Sequence, residues 1–138
     1  MIESIWVHKG QVNKIWVLVE PMLKGAIMKW LPVWDTADLY DEIQNDTKQL
    51  WIAYDAEKEK LYGAVITEII TYPRAKIANV MLLGGNNIKE WKDKMGGAIE
   101  NFARAEGCYA LQASGRKGWQ NLFPDMFESA SIINKILD

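Results

Sequence analysis

The stretch LWIAYDAEKEKLYGAVITEIITYP, residues 50–73, constrains the fold more than any other part of the chain. Two runs rich in β-branched and aromatic residues, Leu50–Tyr54 and Leu61–Tyr72, flank a polar turn at Asp55–Lys60. Pro73 ends the second run, because proline cannot donate to a strand ladder. The pattern is a β-hairpin. Gly63, inside the second strand, predicts a bulge or a close approach by another group. After a turn at Pro73–Ala75, KIANVMLL (76–83) is apolar enough to be a central strand of the same sheet.

Helical spacing dominates elsewhere. From Gln11 to Trp30 the apolar residues Val12, Ile15, Trp16, Val19, Met22, Leu23, Ala26, Ile27 and Trp30 recur on one helical face. Pro21 interrupts that run, which predicts a kinked helix or two short ones. Asp35 or Thr36 can cap a further short helix, TADLYDEIQ, burying Leu39 and Ile43. A third helix starts after MLLGGNN, capped by Asn86 or Asn87, and runs through Ile88, Trp91, Met95, Ala98, Ile99, Phe102 and Ala103 to Gly107. Gly96 and Gly97 in its middle cost roughly 1 kcal/mol each relative to alanine, which predicts something packed closely against them. MIESIWVH reads as a first strand, CYALQAS as a later one, GRKGWQNLF as a turn and short helix, and MFESASIINKIL as a final strand. There is no linker, repeat or low-complexity stretch, so residues 1–138 form one domain. Its class is α/β (α+β): a mixed, mainly antiparallel sheet flanked by helices.

Composition narrows the partners. A formal charge of -2 and a pI near 5.5 supply no broad positive field, so neither nucleic acid nor an acidic membrane is expected. No apolar run approaches the roughly 20 residues of a membrane helix, and MIESIWVHKG lacks the basic start and apolar centre of a signal peptide. Cytoplasmic solubility is the simplest expectation. One cysteine, Cys108, and one histidine, His8, exclude an internal disulfide and leave no Cys/His zinc set. Cys108 is expected to be a small buried residue at a strand start. Of seven tryptophans, one or two are expected to serve a ligand or partner and the rest to pack.

WIAYDAEKEKLYGAVITEI, ENFARAEGCYALQAS and GRKGWQNLFPDMFESASIINKIL, in that order, resemble the GNAT superfamily of N-acyltransferases, and within it the short GNAT-like proteins of tailed phages. The resemblance covers nearly the whole chain. It implies a V-shaped opening between the fourth and fifth strands, Lys76–Leu83 and Tyr109–Ser114. There an acyl-coenzyme A such as acetyl-CoA would lie, its pantetheine along Val80, Met81 and Leu82 and its pyrophosphate on Gly84, Gly85, Asn86, Asn87 and Ile88. Asn121 matches a position that contacts the cofactor in some members, and Arg116 and Lys117 either reach a coenzyme phosphate or face water. The basic residue that usually precedes the glycines of this loop is absent.

Acyl transfer from a thioester to an amine needs a base, donors for the developing oxyanion and an acid for the thiolate. Glu68 is a carboxylate embedded in an apolar strand, a setting that suits a base; it can equally be an outward-facing strand residue. By resemblance the backbone N–H of Leu82 is the oxyanion donor. For the acid, Trp119 and Phe123 stand where a tyrosine is usual, and Tyr109 is expected to pack. Two functions follow. One is an acyl-CoA-dependent N-acyltransferase acting on a small-molecule or protein amine. The other is a catalytically degenerate GNAT-like protein, in a host cytoplasm or a phage virion, that binds protein partners such as virion proteins through Trp6, Trp16, Trp30 and Trp34.

Overall fold

The computed structural model describes residues 1–30, 32–114 and 123–137. Its elements in chain order are β1 (Ile2–Val7), α1 (Lys9–Ile27), α2 (Thr36–Gln44), β2 (Gln49–Asp55), β3 (Lys60–Thr71), β4 (Lys76–Gly85), α3 (Ile88–Ala105) and β5 (Ala110–Ala113). The five strands form one sheet in the order β1-β2-β3-β4-β5. All neighbours are antiparallel except β4 and β5, which are parallel because α3 carries the chain from one to the other.

Strand alternation divides the core in two. Leu50, Ile52, Ala64, Ile66, Met81 and Leu82 face α1 and α2, where they meet Val12, Val19, Leu23, Leu39 and Ile43. Trp51, Ala53, Tyr62, Val65, Val80 and Leu83 face α3, where they meet Trp91, Met95, Ile99 and Phe102. A central strand buried on both faces must read as a continuous apolar run, which is how β4 reads.

The α1 helix is one continuous element through Pro21. Its N-terminus is capped by His8, whose Nδ1 accepts the Gly10 N–H at 3.1 Å, giving the lone histidine a structural task. The α2 helix starts with a reciprocal capping box between Asp35 and Asp38.

Two expectations are corrected. Nothing lies within 4 Å of a Cβ built at Gly97, and Gly96 meets only Phe123 at an ordinary 3.5 Å, so the pair does not mark a tight contact. Residues 126–137 carry no strand; Phe127, Ile132, Ile133, Ile136 and Leu137 are 75–95% exposed. Strand propensity is expressed only where a neighbouring strand and a face to bury are both available. The expected short helix at 115–122 lies outside the described residues.

Candidate functional site

The β4 and β5 strands part company half-way along β4. They pair from Ile77 opposite Ala110 to Val80 opposite Ala113, and the Ser114 N–H reaches the Val80 carbonyl at 3.2 Å. From Met81 to Gly85, β4 pairs only with β3 among the described residues. A register shift marks the same place on the other side. Ile66 lies opposite Leu82 and Thr67 opposite Val80, leaving Met81 unmatched. This bulge turns Met81 and Leu82 to the same face, and both enter the core beneath α1. The extra residue re-aims the backbone one position before Leu82, and beyond it β4 has no partner on its β5 side among the described residues.

The glycine junction differs from a loop. Gly84 and Gly85 are the last two residues of β4, opposite Ala64 and Gly63, so only Asn86 and Asn87 separate strand from helix. Each glycine answers a packing demand. A Cβ at Gly84 would lie 2.3 Å from the Met22 carbonyl oxygen of α1. Gly85 adopts φ +129°, and its Cβ would lie 2.2 Å from the Tyr62 carbonyl oxygen. The Asn86 N–H is committed to that carbonyl at 2.8 Å, and the Asn86 carbonyl accepts the Trp91 indole N–H at 2.8 Å. Asn87 is the N-cap residue of α3 in the left-handed region, φ 55°, without a side-chain capping bond. The N–H groups of the first turn of α3, around Ile88 and the exposed Lys89, are the helix-terminal donors at this junction.

Glu68 lies on the α1 side of the sheet, opposite Asn79. Its Oε1 accepts from Lys48 Nζ at 2.9 Å and its Oε2 from Asn79 Nδ2 at 2.8 Å. The buried Lys48 ammonium also reaches Glu42 Oε1 at 2.8 Å and sits 4.7 Å from the centroid of the Trp34 ring. The hydrogen bond from Lys48 holds the Glu42 carboxyl below its usual range, against a smaller opposing effect of burial. For Lys48 burial opposes the charge, yet the bonds it donates to Glu42 and Glu68 prevail and its pKa is raised. A carboxylate offers about four lone-pair sites, so Glu68 retains acceptor capacity after these two bonds. Its side chain is 23% exposed, which leaves an approach to it. The sequence did not single out Lys48 or Asn79, because their partner lies 20 and 11 positions away along the chain.

Solved structures match this architecture over its full length. A probable acetyltransferase superposes with a TM-score of 0.73 at 10% identity, covering 99% of this chain and 97% of that one. An aminoglycoside acetyltransferase from an uncultured soil metagenomic sample gives 0.72 at 11%, with the same coverage. A ribosomal-protein-alanine N-acetyltransferase from Brucella melitensis biovar Abortus gives 0.68 at 12%, covering 100% and 99%. A GNAT family acetyltransferase from Staphylococcus aureus gives 0.67 at 13%, covering 99% and 98%. The fold is the GNAT acetyltransferase fold. No protein-family model and no curated protein sequence matches the chain.

Within the GNAT fold the remaining sequence expectations divide. Tyr109 is exposed just before β5 instead of packed. Cys108 is half-buried at the end of the α3–β5 turn, where its N–H bonds to the Ala103 carbonyl. Arg116, Lys117, Trp119 and Asn121 lie outside the described residues. The aromatic contact surface is reduced to one ring: Trp16, Trp30 and Trp34 pack against the α1-side core, while Trp6 is 52% exposed, stacked on Trp51. Among the described residues no cluster of His, Cys, Asp and Glu could hold a metal ion, and no helix is long and apolar enough to cross a membrane.

Proposed function

We propose that this chain is an acyl-coenzyme A dependent N-acyltransferase acting on an amine. The observation that carries the reading is the wedge: a parallel pair that, among the described residues, extends no further than Val80 and Ala113, with a bulge at Met81 directly beyond it. Beyond Val80, the β4 edge from Met81 to Leu83 offers backbone donors and acceptors for the amides of a pantetheine chain. Asn87, Ile88 and Lys89, at the positive end of α3, would take the diphosphate, with Gly84 and Gly85 letting β4 reach that end between α1 and β3. Asn121 matches, by resemblance, a position that contacts the cofactor in some family members. When bound, acyl-coenzyme A supplies an activated acyl group as its thioester.

The protein's own residues supply the remainder. Glu68 accepts a proton from the amine through its unused lone pairs, Lys48 and Asn79 hold that carboxylate in place, and the Leu82 N–H, next to the bulge, would be the donor to the oxygen that gains charge. The thiolate is a fair leaving group without a dedicated acid. Amine-dependent release of free thiol from acetyl-CoA tests this. Across a panel of primary amines at least one should accelerate release, and Glu68→Gln should slow it by about 100-fold with little change in cofactor affinity. Absence of acceleration by any amine would contradict the reading.

A non-catalytic, protein-binding role draws on one observation, that packing alone accounts for Gly84 and Gly85. It predicts a chain that binds no coenzyme.

A further inference from the structure

We propose that Asn79 is the residue that receives the acceptor amine, as its primary ammonium, through an unused side-chain oxygen. Asn79 is 3% exposed and lies in β4 opposite Gln112, one rung before β4 and β5 diverge. Both hydrogens of its amide nitrogen are spent, one on Glu68 Oε2 at 2.8 Å and one on Ser114 Oγ at 3.0 Å. The carboxylate fixes the orientation of the amide, because the flipped amide would set oxygen against oxygen. Oδ1 is thereby turned away from Glu68, and it is buried without a hydrogen-bond partner among the described residues. Native structures leave few such acceptors unmet, and each calls for an explanation.

The surroundings say what kind of group would meet it. Oδ1, the remaining lone pairs of Glu68 and the hydroxyl of Ser114 form a set with a surplus of acceptors. The charges point the same way: Glu42 and Glu68 contribute two negative charges, Lys48 one positive, and the cluster is left with one negative charge. A ligand that is cationic and carries several N–H donors fits both deficits. A primary ammonium has three such donors; a carboxylate or phosphate has none and repels the cluster. As the acceptor site of the transferase this assignment rests on the function proposed above, while binding of the ammonium itself does not require coenzyme.

The test is a ¹⁵N–¹H correlation spectrum of the full chain, following the Asn79 side-chain amide. Its signals are assigned by their loss in both Asn79→Asp and Asn79→Ser, so that one misfolded variant does not decide the matter. n-Butylammonium chloride is titrated in, with tetramethylammonium chloride, which has the charge but no N–H, as the control. The amide signals should shift saturably with butylammonium, with a dissociation constant on the order of 1 mM, and stay in place with the control. Glu68→Gln should weaken the butylammonium response at least several-fold. No shift with butylammonium, or equal shifts with both cations, overturns the proposal. The same sample is titrated with acetyl-CoA. A butylammonium response without acetyl-CoA binding upholds the ammonium site and sinks the transferase reading; acetyl-CoA binding without a butylammonium response does the reverse.

Discussion

A methyl group added at residue 63 would place its carbon 2.3 Å from the Trp91 ring and 2.9 Å from the Gly84 carbonyl oxygen. Trp91 is buried and its indole is tethered to Asn86, so neither neighbour can yield. Gly63→Ala is therefore expected to destabilise the fold by about 1–3 kcal/mol in urea denaturation. Gly97→Ala should do the opposite, stabilising by about 0.5–1 kcal/mol, because open space and helical backbone surround it. The Glu42–Lys48 pair gives a pH signature. Glu42, held below its usual 4.5, contributes stability that is present above that value and lost as pH falls through its lowered folded value. Lys48, raised above 10.5, contributes below that value and loses its contribution as pH climbs through the folded one. The urea midpoint of Glu42→Gln should accordingly fall less than that of the wild type between about pH 6 and about pH 3. Parallel slopes would show that this pair is not what the acid limb reports.

Elements were legible in the sequence wherever local chemistry alone determines them. The hairpin of β2 and β3 follows from alternating β-formers, a polar turn and Pro73, and α2 from its capping residue. Asp35→Ala removes the side-chain half of that capping box, leaving the bond from the residue-35 N–H to Asp38, and should cost about 1 kcal/mol, measured by thermal unfolding. Legibility ended where a distant partner decides. MLLGGNN looks like strand, turn and cap, yet the glycines continue the strand, because α1 and β3 crowd β4 in a way that no local pattern reports. Residues 126–137 have the composition of a strand but pair with no neighbour in the sheet. At the site, Glu68 stood out as a charge within an apolar run. Lys48 and Asn79 did not, since a lysine at the edge of a strand and an asparagine within one acquire meaning only when the sheet aligns them with Glu68.

At the scale of the whole molecule, two cores grip one sheet, and β4 beyond Val80 has no partner on its β5 side among the described residues. A ligand bound along that edge would add contacts between β4, β5 and the start of α3, elements that already share the core on the α3 side. Its binding should raise global stability by about 2.7 kcal/mol at a hundredfold excess over the dissociation constant, visible as an upward shift of several degrees in the unfolding temperature. The central claim is that this wedge and the first turn of α3 hold a coenzyme A thioester. Isothermal titration of the purified chain with acetyl-CoA, run beside Lys89→Glu, tests it most directly. Single-site binding with a micromolar dissociation constant, weakened roughly tenfold by the charge reversal, is the predicted result. No heat of binding up to about 1 mM acetyl-CoA, or equal affinity in the two proteins, would contradict it.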